Sequence, residues 1–419
     1  MKKLIITIFA FFLFANITFA QEEFSLGSPY SAFGIGELRF SSSIRTDQMG
    51  VQGISLFGNY VNSLNPAANT YLKNTYVSLG MKLLLLKSEN ALSKVSISNA
   101  NVTGFNFGVP MWDKHGLTLI MGFNPYSLMQ YKFSGTVNDP EASYVATFAG
   151  TGGLSRLNFG LAGRPLDFIS LGFEYDYAFG NIKDLTVFNF NNEANTNTYI
   201  RSENDLKGYY VKGGAVLDLG ALIKKSSVFE NLTLGFFYQN KFNLKSTIDK
   251  IYQTSLTNSD TANVYHGEWN IPEMYGFGIS KQFGRQLVVS SDVSMQKWSA
   301  FNPANLIPVE YTDNFRYGAG FEILPAPKKD RTWFESLTYR AGFSYDKSYY
   351  KVNGENINHY SVSLGVGIPI NNENGIDIGL EMGTRGKKDA GFIKDNYIRV
   401  NLGLNFGEFW FIRPNDEDR

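Results

Sequence analysis

Between Ile398 and Gly407 the chain alternates: Ile398, Val400, Leu402, Leu404 and Phe406 are apolar, while Arg399, Asn401, Gly403, Asn405 and Gly407 are polar or glycine. A period of two with one greasy face predicts a β-strand. The same alternation runs through Ile376, Ile378, Leu380 and Met382, through Tyr360, Val362, Leu364, Val366 and Ile368, and through Leu337, Tyr339, Ala341, Phe343 and Tyr345. About fourteen such segments are predicted, near 74–86, 101–112, 116–135, 142–164, 167–188, 200–219, 231–249, 263–283, 286–301, 313–324, 336–352, 357–369, 374–386 and 394–409.

A soluble sandwich also alternates, but here the polar face is rich in Gly and Ser with scattered Arg, Asp and Glu. That suits a wet lumen, opposite a face aromatic enough for lipid. An even strand count fits a bacterial barrel, and the connections alternate in length. Those at Asp113-Lys-His-Gly116, Pro165-Leu166, Gly284-Arg285 and 371–374 are tight, whereas 189–199 and 249–262 are longer and polar. Short turns are expected in the periplasm and long loops outside. The turns at 220–230 and 325–335 are longer than this rule predicts. Trp112, Trp298 and Trp410 at strand ends and Trp333 in a connection are expected in an interfacial aromatic belt, while Trp269 sits just before the apolar part of its strand.

Residues 1–20 carry Lys2 and Lys3, an apolar run from Leu4 to Ala15, and Thr18-Phe19-Ala20, the pattern of a secretory signal cleaved before Gln21. Residues 21–70 do not alternate, yet contain Phe24, Leu26, Tyr30, Phe33, Ile35, Phe40, Ile54, Leu56 and Phe57, too apolar for a solvated tail. A barrel of about fourteen strands encloses a space that must be filled or leak. The segment is therefore expected to be a plug within the lumen, followed by the barrel over 71–411 and a short polar tail over 412–419.

Composition sharpens this picture. Charged residues make up 18% and aromatics 15% of the chain, and Lys+Arg and Asp+Glu balance at 38 each, which argues against a nucleic-acid partner. Without cysteine there are no disulfides, thiolate metal sites or lipoprotein anchor. No run beyond the signal is long enough for a membrane-spanning helix, so a membrane span must be a closed barrel.

Three motifs, taken together, resemble a known family. They are Asn65-Pro66-Ala67 immediately before the first strand, Ile271-Pro-Glu-Met-Tyr-Gly-Phe running on to Asp292-Val-Ser-Met-Gln-Lys-Trp298-Ser, and Tyr339-Arg-Ala-Gly-Phe-Ser-Tyr345. Their order and spacing are similar to those of the long-chain fatty-acid and hydrophobic-compound transporters of the FadL type, outer-membrane barrels of fourteen strands with an N-terminal hatch. The resemblance implies passive uptake of small hydrophobic compounds across the Gram-negative outer membrane, by plug movement and lateral opening at a kinked third strand. Because the family includes the shuttle subunit of type IX secretion, a barrel that docks a protein partner is the alternative. The implied partners are the bilayer and a small hydrophobic ligand or detergent in the lumen of a monomer.

The candidate gate is Asn124, Pro125 and Tyr126, since proline inside a barrel strand cannot donate to the ladder. The plug–barrel junction is Asn65, Pro66 and Ala67. Inward positions carry Glu174, Asp176, Asp292, Arg316, Glu322, Arg340, Asp346, Asp377, Glu381 and Arg399, which are expected to pair across neighbouring strands and with the plug. Asp292, Arg316, Arg340 and Arg399, with Leu84 and Leu86 where both faces turn apolar, are the ligand candidates. No cofactor or metal is expected. For a hydrolase, His359 beside Ser361 and Ser363 is the best constellation, but no nucleophile-elbow motif accompanies it, and an enzyme is not expected.

Overall fold

The computed structural model describes residues 27–408, apart from 41–42, 92, 139–142, 191–195, 225, 255–260, 302, 304–308, 328–330, 372 and 390. The signal segment, Trp410 and the polar tail lie outside the described residues. Fourteen wall strands run antiparallel around one sheet. They are β1 Thr75–Glu89, β2 Lys94–Trp112, β3 in two halves (Leu117–Pro125 and Ser127–Asn138), β4 Ser143–Leu166, β5 Ile169–Phe190, β6 Thr198–Asp218, β7 in two halves (Leu232–Gln239 and Phe242–Thr254), β8 in two halves (Thr261–Ile271 and Met274–Phe283), β9 Leu287–Gln296, β10 Asn314–Ile323, β11 Thr338–Val352, β12 Glu355–Pro369, β13 Gly375–Arg385 and β14 Lys394–Glu408. Pairing of β14 with β1, from Glu408↔Thr75 to Lys394↔Glu89, closes the barrel. The end holding Thr75 and Glu408 is here called proximal, the other distal. Most tight turns are proximal.

Alternation decides which way each side chain points. Outward positions are exposed and apolar on all fourteen strands, as with Phe159, Phe173, Phe277, Leu364 and Ile398, while inward neighbours such as Asp292, Arg399 and Asn401 are buried. Such an outer face has no stable place in water and matches the lipid-facing band of a transmembrane barrel.

Described N-terminal residues pack on the inner face of the wall. The short helix Ile44–Gln48 packs on β12 and β13, and the 3-10 turn Pro66–Tyr71 packs on β5 and β6, on the far side of the barrel. Fit is close: a Cβ on Gly342 of β11 would collide with the Met49 carbonyl, so any side chain there would force the backbone to shift. The segment Asn62-Ser-Leu-Asn-Pro-Ala67 folds through its own amides. Asn62 Oδ1 accepts from the backbone of Leu64 and Asn65 (both 3.0 Å), Asn69 Oδ1 accepts from Asn62 N (2.8 Å), and Asn65 Oδ1 caps the 3-10 turn at Ala67 N (3.1 Å). Asparagines suit this job because their short side chains mimic a backbone turn.

Candidate functional site

Wall pairing is not complete everywhere. The ladder between β2 and β3 runs from Trp112↔Leu117 to Phe105↔Phe123 and stops. Beyond it, residues 94–104 of β2 pair only with β1, and the distal half of β3 pairs with β4. A seam therefore opens in the wall. Its start is built from three residues that the sequence singles out. Asn124 is buried and exchanges amide hydrogen bonds with Asn106 (2.8 and 3.0 Å), filling the space that Gly104 leaves, since a Cβ there would strike the Asn124 side chain. Pro125 lies opposite Ser155 and has no N–H to give. Tyr126 N donates to Leu154 O (2.7 Å), and its buried hydroxyl accepts from Gln239 and Gln296 (3.3 and 3.2 Å). Next to the break, the Ser127 hydroxyl accepts from Leu154 N (3.2 Å), which helps reconnect the halves of β3 to β4.

The N-terminal segment covers this seam from within. A two-residue strand, Glu37–Leu38, adds to the edge of β3 at Leu128 and Ser127, and Arg39 N donates to Tyr126 O (2.9 Å). Ser31 Oγ donates to Gln130 O (2.7 Å) and accepts from Gln130 N (3.0 Å). Across the gap, Asn99 of β2 reaches Gln130 of β3 at 3.1 Å.

Deeper in the lumen, the charged residues of the segment meet those of the wall. Arg45 donates to both oxygens of Glu322 (3.0 and 2.5 Å) and to the Phe57 carbonyl (3.1 Å). Arg340 donates to Glu322 (2.6 Å), to Gln48 (2.7 Å) and to Asp377. Arg399 bridges Glu381 (3.1 Å) and Glu37 (2.9 Å), and Asp47 pairs with Lys82 (2.7 Å). Asp292 Oδ2 accepts from Gln52 N and Gly53 N, both at 2.8 Å. Arg316 faces Asp346 at 3.5 Å and lies over the Phe40 ring. Burial alone would raise the Glu37 carboxyl, but Arg39 and Arg399 outweigh it and hold Glu37 well below the usual carboxylate range. Arg316, Arg340 and Arg399 are thus each engaged with a carboxylate. Leu86 is buried against Ile97 and Tyr397, with Leu84 partly buried beside them. At the junction, Asn65 Nδ2 donates to Ile54 O (2.6 Å), and Ala67 packs on Val216.

Aromatic side chains fill the distal half of the lumen. Tyr126, Tyr210 and Phe242 pack together, as do Trp298, Phe301 and Tyr349, with Tyr30 and Tyr350 in the same cluster. Trp298 is fully buried, which corrects its assignment to an interfacial belt, and Trp269 joins the same core. Trp112 and Trp333, at 56% and 63% exposure, do lie at the proximal rim. A cavity of about 500 Å³ opens at the proximal end between residues 55–60 and the turns, lined by Arg45, Phe57, Tyr60, Lys281, Asp377 and Asn405 among others. His359 Nε2 meets the Tyr397 hydroxyl (2.6 Å), while Ser361 meets Ser344 (2.6 Å), so the hydrolase constellation has no Ser–His contact.

Sequence reasoning missed Lys212, Arg156 and Ser63. Lys212 pairs with Glu174, both fully buried, and donates to Ser63 O (2.7 Å), while Arg156 Nη2 donates to Ser63 O and Oγ (both 3.1 Å). Strand parity carries the signal, because Tyr209 and Phe173 point outward, which turns Lys212 and Glu174 inward in register.

A family model, BamG, matches residues 1–415. The chain belongs to the BamG family. No curated protein sequence matches it. Among solved structures, this BamG-family barrel is similar to a Pseudomonas aeruginosa FadL homologue (14% identity, TM-score 0.58, covering 91% of this chain and 99% of that one). It is also similar to the Ralstonia pickettii toluene transporter TbuX (15%, TM-score 0.58, covering 90% and 99%) and the P. putida toluene transporter TodX (13%, TM-score 0.57, covering 92% and 100%). The likeness is one of fold, a FadL-type β-barrel over nearly the whole chain.

Proposed function

We propose that this protein is an outer-membrane channel for small hydrophobic compounds, held shut by its N-terminal segment and opening sideways at the seam between β2 and β3. The observation that carries the reading is the seam: the free edge of β3 is met there by the two-residue strand Glu37–Leu38 and by Ser31, not by the next wall strand. Both are joined to β3 by few bonds and can part from it without unzipping the barrel. An opening at this depth connects the lumen to the hydrocarbon, which a solute insoluble in water needs. Uptake of hydrophobic compounds named for fold relatives is compatible with the same geometry. Asn124, Pro125 and Tyr126 would act as the gate. Replacing Pro125 with Val restores a donor and a strong strand former, so β2 and β3 should zip further. Uptake of a fluorescent hydrophobe should then fall while heat-modifiability on gels stays equal or rises; wild-type uptake by a well-folded Pro125→Val protein would remove the gate.

A second reading, a barrel that docks a protein partner in a secretion-type machinery, is favoured by the aromatic side chains that occupy the distal lumen where a ligand would sit. Native mass spectrometry of detergent-purified protein separates the two. A bound lipid-like molecule supports the channel; a stable stoichiometric protein partner with an empty lumen supports docking.

A further inference from the structure

The buried charges at Ser63 are paired in an unexpected way. Arg156 on β4 and Asp176 on β5 point into the same part of the lumen from adjacent strands, two positions apart in register, since Asn158 lies opposite Asp176. Long side chains at such diagonal positions reach each other readily. Yet no ion pair joins them among the described residues. Arg156 gives its Nη2 to the Ser63 carbonyl and hydroxyl instead, leaving its Nε without a partner. Asp176 is fully buried with neither carboxylate oxygen hydrogen-bonded. Lys212 likewise spends a donor on Ser63, but retains Glu174.

A buried carboxylate without hydrogen bonds is costly, and native proteins seldom keep one without a reason. We propose that Asp176 is the second seat of Arg156: when the turn carrying Ser63 withdraws from the wall, the guanidinium swings to Asp176 while Lys212 stays on Glu174, so neither cation is stranded. This exchange latch lowers the cost of displacing the N-terminal segment. It rests on the reading that this segment moves. The closed state bears the bare carboxylate; the displaced state satisfies it. Charge is conserved throughout, with two cations and two carboxylates in both arrangements.

The test is hydrogen exchange of the backbone amides of residues 60–70 in the full-length protein in nanodiscs, with heat-modifiability as the folding control. Asp176→Asn keeps the shape and removes the second seat. Exchange in 60–70 should slow by roughly tenfold or more, and it should be insensitive to Asp176→Asn when Arg156 is already Met. Exchange at or above the wild-type rate in a well-folded Asp176→Asn protein would overturn the latch, as would an equal effect in the Arg156→Met background. Uptake is scored separately. Slowed exchange in a protein that never takes up hydrophobes would refute the channel and leave the latch standing, whereas wild-type uptake with unaltered exchange would refute the latch alone.

Discussion

Substitution of Arg45 by Met tests whether ionic contacts hold the N-terminal segment in the lumen. Arg45 makes two hydrogen bonds to Glu322, one to the Phe57 carbonyl, and stacks over the Tyr60 ring at 4.9 Å. Glu322 is 1% exposed and keeps Arg340 at 2.6 Å, so the carboxylate is half-deprived and not abandoned. Removing one partner of a buried ion pair costs about 3–5 kcal/mol. Because Arg340 remains, the lower end of that range applies, near 3 kcal/mol. At about 1.4 kcal/mol per tenfold, the displaced segment becomes roughly a hundredfold more populated. Methionine retains much of the packing volume of the arginine stem, which isolates the charge. Exchange protection of residues 44–60 should fall by that factor while the strand amides of β10 to β14 keep theirs, and heat-modifiability should persist. Combining Arg45→Met with Glu322→Gln should recover part of the loss, because the stranded charge goes too. Unchanged protection in Arg45→Met would show that close packing, not the ion pair, retains the segment.

Deleting residues 21–70 should leave a folded barrel of raised conductance in planar bilayers; an unchanged leak would refute the lumen-filling role. Gly342→Ala should destabilise by about 1–3 kcal/mol, seen as a lower gel-shift temperature, because the new methyl meets the Met49 carbonyl. Trp298→Ala should cost about 3–5 kcal/mol in urea unfolding, from a fully buried ring packed on Phe301 and Tyr349. Glu37 has a depressed folded-state pKa, so its stabilisation is complete above the ordinary glutamate value of 4.5 and is lost as pH falls below it. Exchange of residues 28–39 should accelerate in acid in the wild type, and Glu37→Gln should flatten that dependence.

Strand parity made most of the wall legible. Each of the fourteen alternating segments overlaps a wall strand, since one face must meet lipid and the other the lumen. Breaks within strands were less readable. Pro125 and Pro272 mark two of them, whereas the interruption of β7 at 240–241 has no proline or glycine to announce it. Trp298 shares the parity of Asp292, Ser294 and Gln296, all buried, so continuing the alternation past the end of β9 would have placed it inward. Trp269 offered no such route, because buried positions are odd-numbered at Trp269 and Ile271 and even-numbered from Met274 on, a phase change across Pro272 and Glu273. The inward charges were found by alternation, but not their partners. Arg45, Asp47 and Glu37 sit in a segment without periodicity, and nothing local specifies which distant strand each will meet.

The seam has a consequence for how the molecule is made. Ser28 hydrogen-bonds to Asp395, 367 positions away, and Tyr30 to the Ile393 carbonyl, while the strand Glu37–Leu38 joins β3. The residues that leave the ribosome early thus find their partners only after the final strands have been synthesised and brought round. Pairings of such long sequence separation form slowly, since loop closure comes before any contact is gained. Until then the distal edge of β3 is without its inner cover. Closing the cylinder and seating its contents are therefore coupled steps of assembly, and a variant that delays the second prolongs the time for which a bare strand edge is exposed to other chains.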